Sequence, residues 1–297
     1  MDFPVCSVQT DALGRELTTH GTPDFPVGVY RDDLAATPSP WHWHEELELV
    51  VVRRGAALCA AGAEKYTVQA GDGVFVNAGV LHGDWPAAPG DCLLNSVVFH
   101  PRLVGGSMDS VFWQQYLQPL MADTARSTAL LRRTVDWQCA VLDALEEVLD
   151  QLARRQTGYE FRVREALSRC VFLLYTHAPA GAALPRSALR SADRSKTMLQ
   201  FIHEHFDQPV SVPQIAASAS ISVTECLRCF RDVMGTTPNQ YLRQYRAQRA
   251  AELLSSTSLR VGEVAARCGF ADANYFARCF RQVYGMSPAD YRKKGQT

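Results

Sequence analysis

Between about Phe25 and His100 the apolar residues come in short runs. Leu47 to Val52, Lys65 to Val68, Gly73 to Val76 and Leu93 to Phe99 are β-rich, and Gly55, Gly62, Gly71, Asp72, Gly79, Pro86, Pro89 and Gly90 punctuate them. Short strands with regular turn signals predict a small barrel or sandwich. From Asp123 the spacing lengthens to three and four residues. Leu131, Val135, Leu142, Leu145, Leu149 and Leu152 form one stripe, which predicts a single long amphipathic helix. Phe161 to Tyr175 predicts a second, more buried helix. Residues 178–192 hold Pro179, Gly181 and Pro185 among Ala and Ser without periodicity, and predict a linker.

The last hundred residues contain one pattern twice. Cys229-Phe230-Arg231-Asp232-Val233-Met234-Gly235 aligns with Cys279-Phe280-Arg281-Gln282-Val283-Tyr284-Gly285 at a shift of fifty. Upstream, Val212-x-x-Ile215-Ala216 aligns with Val261-x-x-Val264-Ala265 at a shift of forty-nine, so the slip falls in a turn. Ser211-x-x-Gln214 and Ser222-x-x-Glu225 have capping-box form, while Thr237-Pro238 and Ser287-Pro288 put a cap before a proline at a helix start. The predicted helices span roughly 195–206, 212–217, 223–234, 238–254, 261–267 and 273–284, with a short one from Pro288. Ile215, Ala216, Cys226, Phe230 and Val233 supply the inward face of the first unit; Val264, Ala265, Phe276, Phe280 and Val283 supply that of the second. Thr224, Leu227 and Arg228 face the other way, matched by Asn274, Ala277 and Arg278. A polar face near the N-terminal half of such a helix suits a major groove, where Arg can hold guanine and Asn adenine. The joining helix, about 25 Å long at 1.5 Å per residue, would let both units address adjacent grooves with some bending of the duplex. Arg243, Arg246, Arg249 and Arg260 are available for phosphates.

Charge supports a nucleic-acid partner for one part only. The chain's net charge is −1, yet from Arg194 onward there are 14 Lys and Arg against 8 Asp and Glu, a balance of +6. No signal peptide or membrane span is evident, which predicts a cytoplasmic protein. The nine cysteines read as reduced thiols filling apolar positions, Cys226 and Cys229 included.

From Ser195 to Arg292 the chain resembles the arabinose-regulator (AraC/XylS) class of bacterial transcription factors. Tyr241-Leu242 with Arg246-x-x-x-Ala250-x-x-Leu253-Leu254 carries part of the resemblance. Ala265-x-x-Cys268-Gly269-Phe270-x-Asp272-x-x-Tyr275-Phe276-x-Arg278-x-Phe280-Arg281 and Gly285-x-Ser287-Pro288-x-x-Tyr291-Arg292 carry the rest. The resemblance implies promoter binding through the third and sixth helices. It nominates Thr224, Leu227, Arg228, Ala273, Asn274, Ala277 and Arg278 as groove-facing; Leu227 and Ala273 depart from the usual polar character and could meet at most a thymine methyl.

Upstream, His42-x-His44-x-x-x-Glu48-x6-Gly55 and Gly71-x5-Asn77-x-Gly79-x-x-His82 resemble the two motifs of the cupin superfamily. Asn77 stands where proline is usual, and Pro86 where the second motif often ends in asparagine. Alternate residues on a strand share a face, so His42, His44 and Glu48 are expected to point into one barrel, with His82 joining them from a later strand. Three readings are open there: an effector pocket without metal, a bound divalent metal that holds the effector or is itself sensed, and a satisfied polar core. Trp43 and Phe75 join the four as pocket-wall candidates, alongside Trp41, Tyr66 and Trp85.

The expected architecture is multidomain α+β: a cupin-like effector-binding barrel with an N-terminal arm (1–115), a helical dimerisation segment (116–177), a linker (178–193) and an all-α double helix-turn-helix domain (194–297). The expected function is transcriptional regulation by a small-molecule effector, with no required cofactor, a homodimer and an RNA polymerase contact. The alternative is a metal-dependent cupin enzyme fused to a DNA-binding domain. The arm before Phe25 is expected to cover the pocket.

Overall fold

The structure, a computed structural model, describes all residues except 1–2, 7, 12–13, 63, 179–185, 232–235 and 296–297. It divides into two compact units, one of residues 1–10 and 15–190, the other of residues 11–14 and 191–297.

Among the described residues the first unit holds nine strands: β1 (Val27–Asp33), β2 (Ser39–His42), β3 (Leu47–Arg54), β4 (Ala56–Ala61), β5 (Glu64–Gln69), β6 (Gly73–Val76), β7 (His82–Pro86), β8 (Leu93–Phe99) and β9 (Thr128–Leu131). They form two antiparallel sheets, β1-β8-β3-β6-β9 and β2-β7-β4-β5. The short helices α1 (Arg102–Gly105) and α2 (Gln118–Ala122) lead to α3 (Asp136–Arg154) and α4 (Tyr159–His177).

Period-two alternation assigns β3 two buried faces. Leu47, Leu49 and Val51 point to a core shared with Leu142, Leu145 and Leu149 of α3 and Leu167 and Leu174 of α4. Val50 and Val52 point the other way, into a core between the sheets with Ala57, Cys59, Val68, Val74 and Val76. Glu48 shares that inner face by parity. The five-stranded sheet therefore separates the helices from the barrel interior. Arg53 fastens it to α3 with two bonds to Glu146, at 2.6 and 2.9 Å.

Two helical expectations need correction. The stripe from Leu131 to Leu152 is not one helix: Leu131 ends β9, paired with Gly73 of β6, and α3 starts after Val135. The four-residue step from Leu131 to Val135 coincides with helical spacing across a strand and a loop. In α4 the buried stripe is Val163, Ala166, Leu167, Cys170, Val171 and Leu174, whereas Phe161 and Phe172 are 78% and 56% exposed.

The second unit is helical: α5 (Arg186–His205), α6 (Val212–Ser218), α7 (Val223–Cys229), α8 (Pro238–Ser256), α9 (Val261–Arg267), α10 (Ala273–Tyr284) and α11 (Pro288–Gly295). Helix α5 starts at Arg186, inside the stretch expected to be linker. Its first turns (Arg-Ser-Ala-Leu-Arg-Ser-Ala) include good helix formers but no apolar stripe, so propensity carries the helix where periodicity is silent. The earlier linker positions 179–185 lie outside the described residues, as do Val233 and Gly235.

Candidate functional site

The barrel motif folds as its spacing requires. His42 ends β2 opposite His82, the first residue of β7, and Glu48 enters from β3. His42, His44, Glu48 and His82 are all buried, and one ligand atom from each lies within 4.8 Å of the others. The ring centroids of His42 and His82 are 4.1 Å apart.

Each imidazole is oriented through Nδ1, which lies 2.8 Å from the Pro40 carbonyl in His42, 3.2 Å from that of Glu46 in His44, and 2.8 Å from that of Val80 in His82. A carbonyl only accepts, so these bonds hold the proton on Nδ1 and leave Nε2 facing the cluster. Glu48 Oε2 is 2.9 Å from His82 Nε2 and 3.5 Å from His44 Nε2. None of those three atoms has a well-formed hydrogen bond.

Such convergence of lone pairs calls for positive charge. Burial disfavours an ionised Glu48, but the adjacent His44 and His82 imidazoles outweigh it and hold the carboxyl well below its usual range. Burial likewise disfavours charge on His82, but Glu48 outweighs it and draws that pKa up. Burial, reinforced by His82, pushes His42 down to about 3. A proton beside Glu48 or a bound cation would equally relieve the cluster. Three imidazole nitrogens and one carboxylate are a donor set that fits a transition metal.

Two wall candidates face elsewhere. Phe75 is buried in the outer core against α3 and α4, because Val74 and Val76 are the inward residues of β6. Trp43, between His42 and His44, has the opposite parity, and its ring receives the Arg15 guanidinium at 5.9 Å. Trp41 and Trp85 pack together, centroids 5.3 Å apart, and Tyr66 borders the inter-sheet core. Asn77, in the position usual for proline, donates to the Leu120 and Arg126 carbonyls at 2.8 and 3.1 Å, tying β6 to the segment before β9.

Two residues outside the motif reach the cluster. Glu16 Oε2 lies 3.6 Å from His42 Nε2 and 3.3 Å from His20 Nε2. His20 was readable only as a histidine belonging to no motif, and nothing in the spacing marked Glu16.

In the second unit the repeat produces matched scaffolds. Cys226, Cys229 and Phe230 are buried, as are Phe276, Cys279 and Phe280; Val283 is half-buried. Thr224, Leu227 and Arg228 are exposed on α7, and Ala273, Asn274 and Arg278 on α10; Ala277 is half-buried. Ser222 Oγ accepts from the Glu225 amide at 3.2 Å, but the Glu225 side chain turns to Arg228 and Arg194 at 2.6 and 2.9 Å, so its expected capping box is half made. Asp272 caps α10 through the Tyr275 amide at 2.6 Å. Arg278 lies over the Tyr275 ring at 5.5 Å.

Arg246, expected at a phosphate, is engaged within the second unit. Its Nε and Nη2 donate to the carbonyls of Phe206 and Gln208 at 2.6 and 2.7 Å, beyond the end of α5. The carbonyls at a helix end lack intrahelical partners, and a guanidinium is well suited to take them.

Residues 29–161 match the family model for the AraC-like ligand binding domain, and residues 215–294 match a helix-turn-helix domain model. The uncharacterized HTH-type transcriptional regulator YdeC of Bacillus subtilis is 29% identical over 285 residues, covering 94% of this chain and 96% of its own. The HTH-type transcriptional activator RhaS of Shigella sonnei is 26% identical over 286 residues, 92% of this chain and 96% of its own. A crystal structure of ToxT from Vibrio cholerae, with unsaturated fatty acid bound, aligns with 90% of this chain and 94% of that one at 11% identity and a TM-score of 0.45. Among the described residues no helix is long and apolar enough to cross a membrane. With a ligand-binding β domain before a double helix-turn-helix domain, the chain belongs to the AraC/XylS family of DNA-binding transcriptional regulators.

Proposed function

We propose that α7 and α10 read promoter DNA and that an effector in the barrel controls the reading. The observation carrying this is the agreement of two scaffolds: each repeated helix buries its apolar side and leaves a face with arginine solvent-accessible. Thr224 and Arg228 of α7 and Asn274 and Arg278 of α10 are the proposed base-reading groups. Leu227, Ala273 and Ala277 would supply apolar contact, and Arg243 rather than Arg246 a phosphate contact. Arg278→Ala should weaken specific binding by about 1–3 kcal/mol in gel-shift titrations on the upstream intergenic fragment, with a relaxed footprint at one position. Unchanged affinity and footprint would remove Arg278 from the interface.

The effector would bind at His42, His44, Glu48 and His82. Their orphaned acceptors support a divalent transition metal there, which would supply a Lewis-acidic anchor for an oxygen or nitrogen atom of a small molecule. The protein's part is to keep three imidazoles oriented and the site away from water. Sensing, rather than turnover, is the proposed role of the barrel, since the named relatives are transcriptional regulators. The reading also includes a cytoplasmic homodimer that contacts RNA polymerase at the promoter. Exposed aromatic residues on α4 support the dimer.

A further inference from the structure

Beside the barrel cluster runs a segment that belongs to no strand of either sheet. It carries Glu16 and His20, only 7% and 5% exposed. The Glu16 amide donates to the Trp43 carbonyl at 2.9 Å, fixing the segment beside the strand that bears His42. His20 Nδ1 meets the Tyr30 hydroxyl at 2.9 Å, which aims Nε2 at Glu16, and its ring lies edge-on to His44 at 5.5 Å. Glu16 Oε2 faces His20 and His42, its Oε1 accepts from the Cys6 thiol at 3.5 Å, and His20 Nε2 makes no well-formed hydrogen bond.

A buried carboxylate needs compensating charge. Here Oε1 meets a neutral thiol, that of Cys6, and Oε2 faces His42, whose Nε2 lone pair already points into the cluster, so a second acid deepens the demand for a cation. Two atoms bound to one ion at about 2.1 Å lie roughly 3.0–3.4 Å apart for inter-ligand angles near 90–109°. The 3.6 Å between Glu16 Oε2 and His42 Nε2 is within a small side-chain adjustment of that spacing. Charge agrees too: Glu16 and Glu48 together balance a divalent ion, with the three imidazoles neutral.

We propose that Glu16 is a further oxygen ligand to a divalent transition metal held by His42, His44, His82 and Glu48, with His20 as the residue that positions its carboxylate. This rests on the reading of the cluster as a metal site. It makes the segment before β1 part of the coordination sphere, so that ion binding and the order of that segment are linked.

The test uses the full-length protein and Co(II), whose visible d–d absorption reports ligand number. Wild type should bind one Co(II) per chain. Glu16→Gln should still bind one, with affinity reduced at least about tenfold and a changed band intensity. Glu16→Asp should recover part of the spectrum, while His20→Gln should weaken binding with the band shape kept. In wild type, Co(II) should slow tryptic cleavage after Arg15, whose side chain is 46% exposed. Identical spectra and affinities for wild type and Glu16→Gln would overturn the Glu16 assignment and leave the metal reading standing, and so would cleavage that Co(II) leaves unchanged. Failure of wild type to bind Co(II) would overturn both.

Discussion

Arg246 turns its guanidinium inward, and a glycine makes room for it. Gly269 has φ +73°, and a Cβ there would sit 2.4 Å from the Phe206 carbonyl oxygen and 2.9 Å from Arg246 Nη2. Any side chain would collide with the bond that closes the end of α5. The equivalent turn of the first repeat has Ser220, also at positive φ (54°). Hydrogen bonds from a charged donor contribute about 1.5–3 kcal/mol, so Arg246→Ala should lower unfolding free energy by about that amount in a denaturant titration. The salt slope of DNA affinity should stay as in wild type; a slope smaller by about one unit would restore a phosphate contact. At this scale the sequence was legible where spacing dictates geometry, as for His42, His44, Glu48 and His82. It misled at Phe75, placed by residue type against strand parity. Trp43, one residue past the end of β2, carries the Arg15 guanidinium over its ring. Glu16 was illegible because the cluster residue it meets, His42, lies 26 residues away and no periodic element carries it.

Among the elements, helices announced by caps were the most legible. The expected bounds of α9 and α10 match the observed ones, and α8 runs two residues further, to Ser256. Thr237 and Gln240 bond reciprocally at 3.3 and 3.2 Å. Strand β9 was missed because a tertiary partner, β6, and not local pattern, makes it a strand. Between α5 and α8 the packing hides a titration. His203 Nε2 meets the Tyr241 hydroxyl at 2.7 Å, and its ring stacks on Tyr245 at 4.0 Å. Burial pushes its pKa down to about 4. The unfolded chain, with a value near 6.5, therefore binds this proton more tightly than the folded one. The contribution is fully present above about pH 6.5 and is lost as pH falls towards 4, reaching about 3 kcal/mol. Melting curves of the full chain should drop through that window, and His203→Gln should flatten the decline. A variant with wild-type pH dependence would show that the proton is taken up elsewhere.

For the whole molecule, the division into a β-rich unit and a helical unit was legible from the change of period and the charge asymmetry. What sequence could not supply was the outer surface of α4. Phe112, Tyr116, Phe161, Arg164 and Phe172 line an apolar groove of 510 Å³ there. A second copy is the proposed occupant. In a two-fold interface the same patch meets itself. Phe161→Asp should convert a dimer to a monomer in sedimentation equilibrium at micromolar concentration. A retained dimer would move the interface off this groove.

The three backbone carbonyls behind the barrel imidazoles carry a further consequence. Because Pro40, Glu46 and Val80 settle each tautomer, the rings offer borderline-soft nitrogen in place of the oxygen shells that magnesium and calcium demand. Those two abundant ions would be poor occupants, and the pocket would answer to scarcer nitrogen-seeking ones such as zinc, nickel or copper.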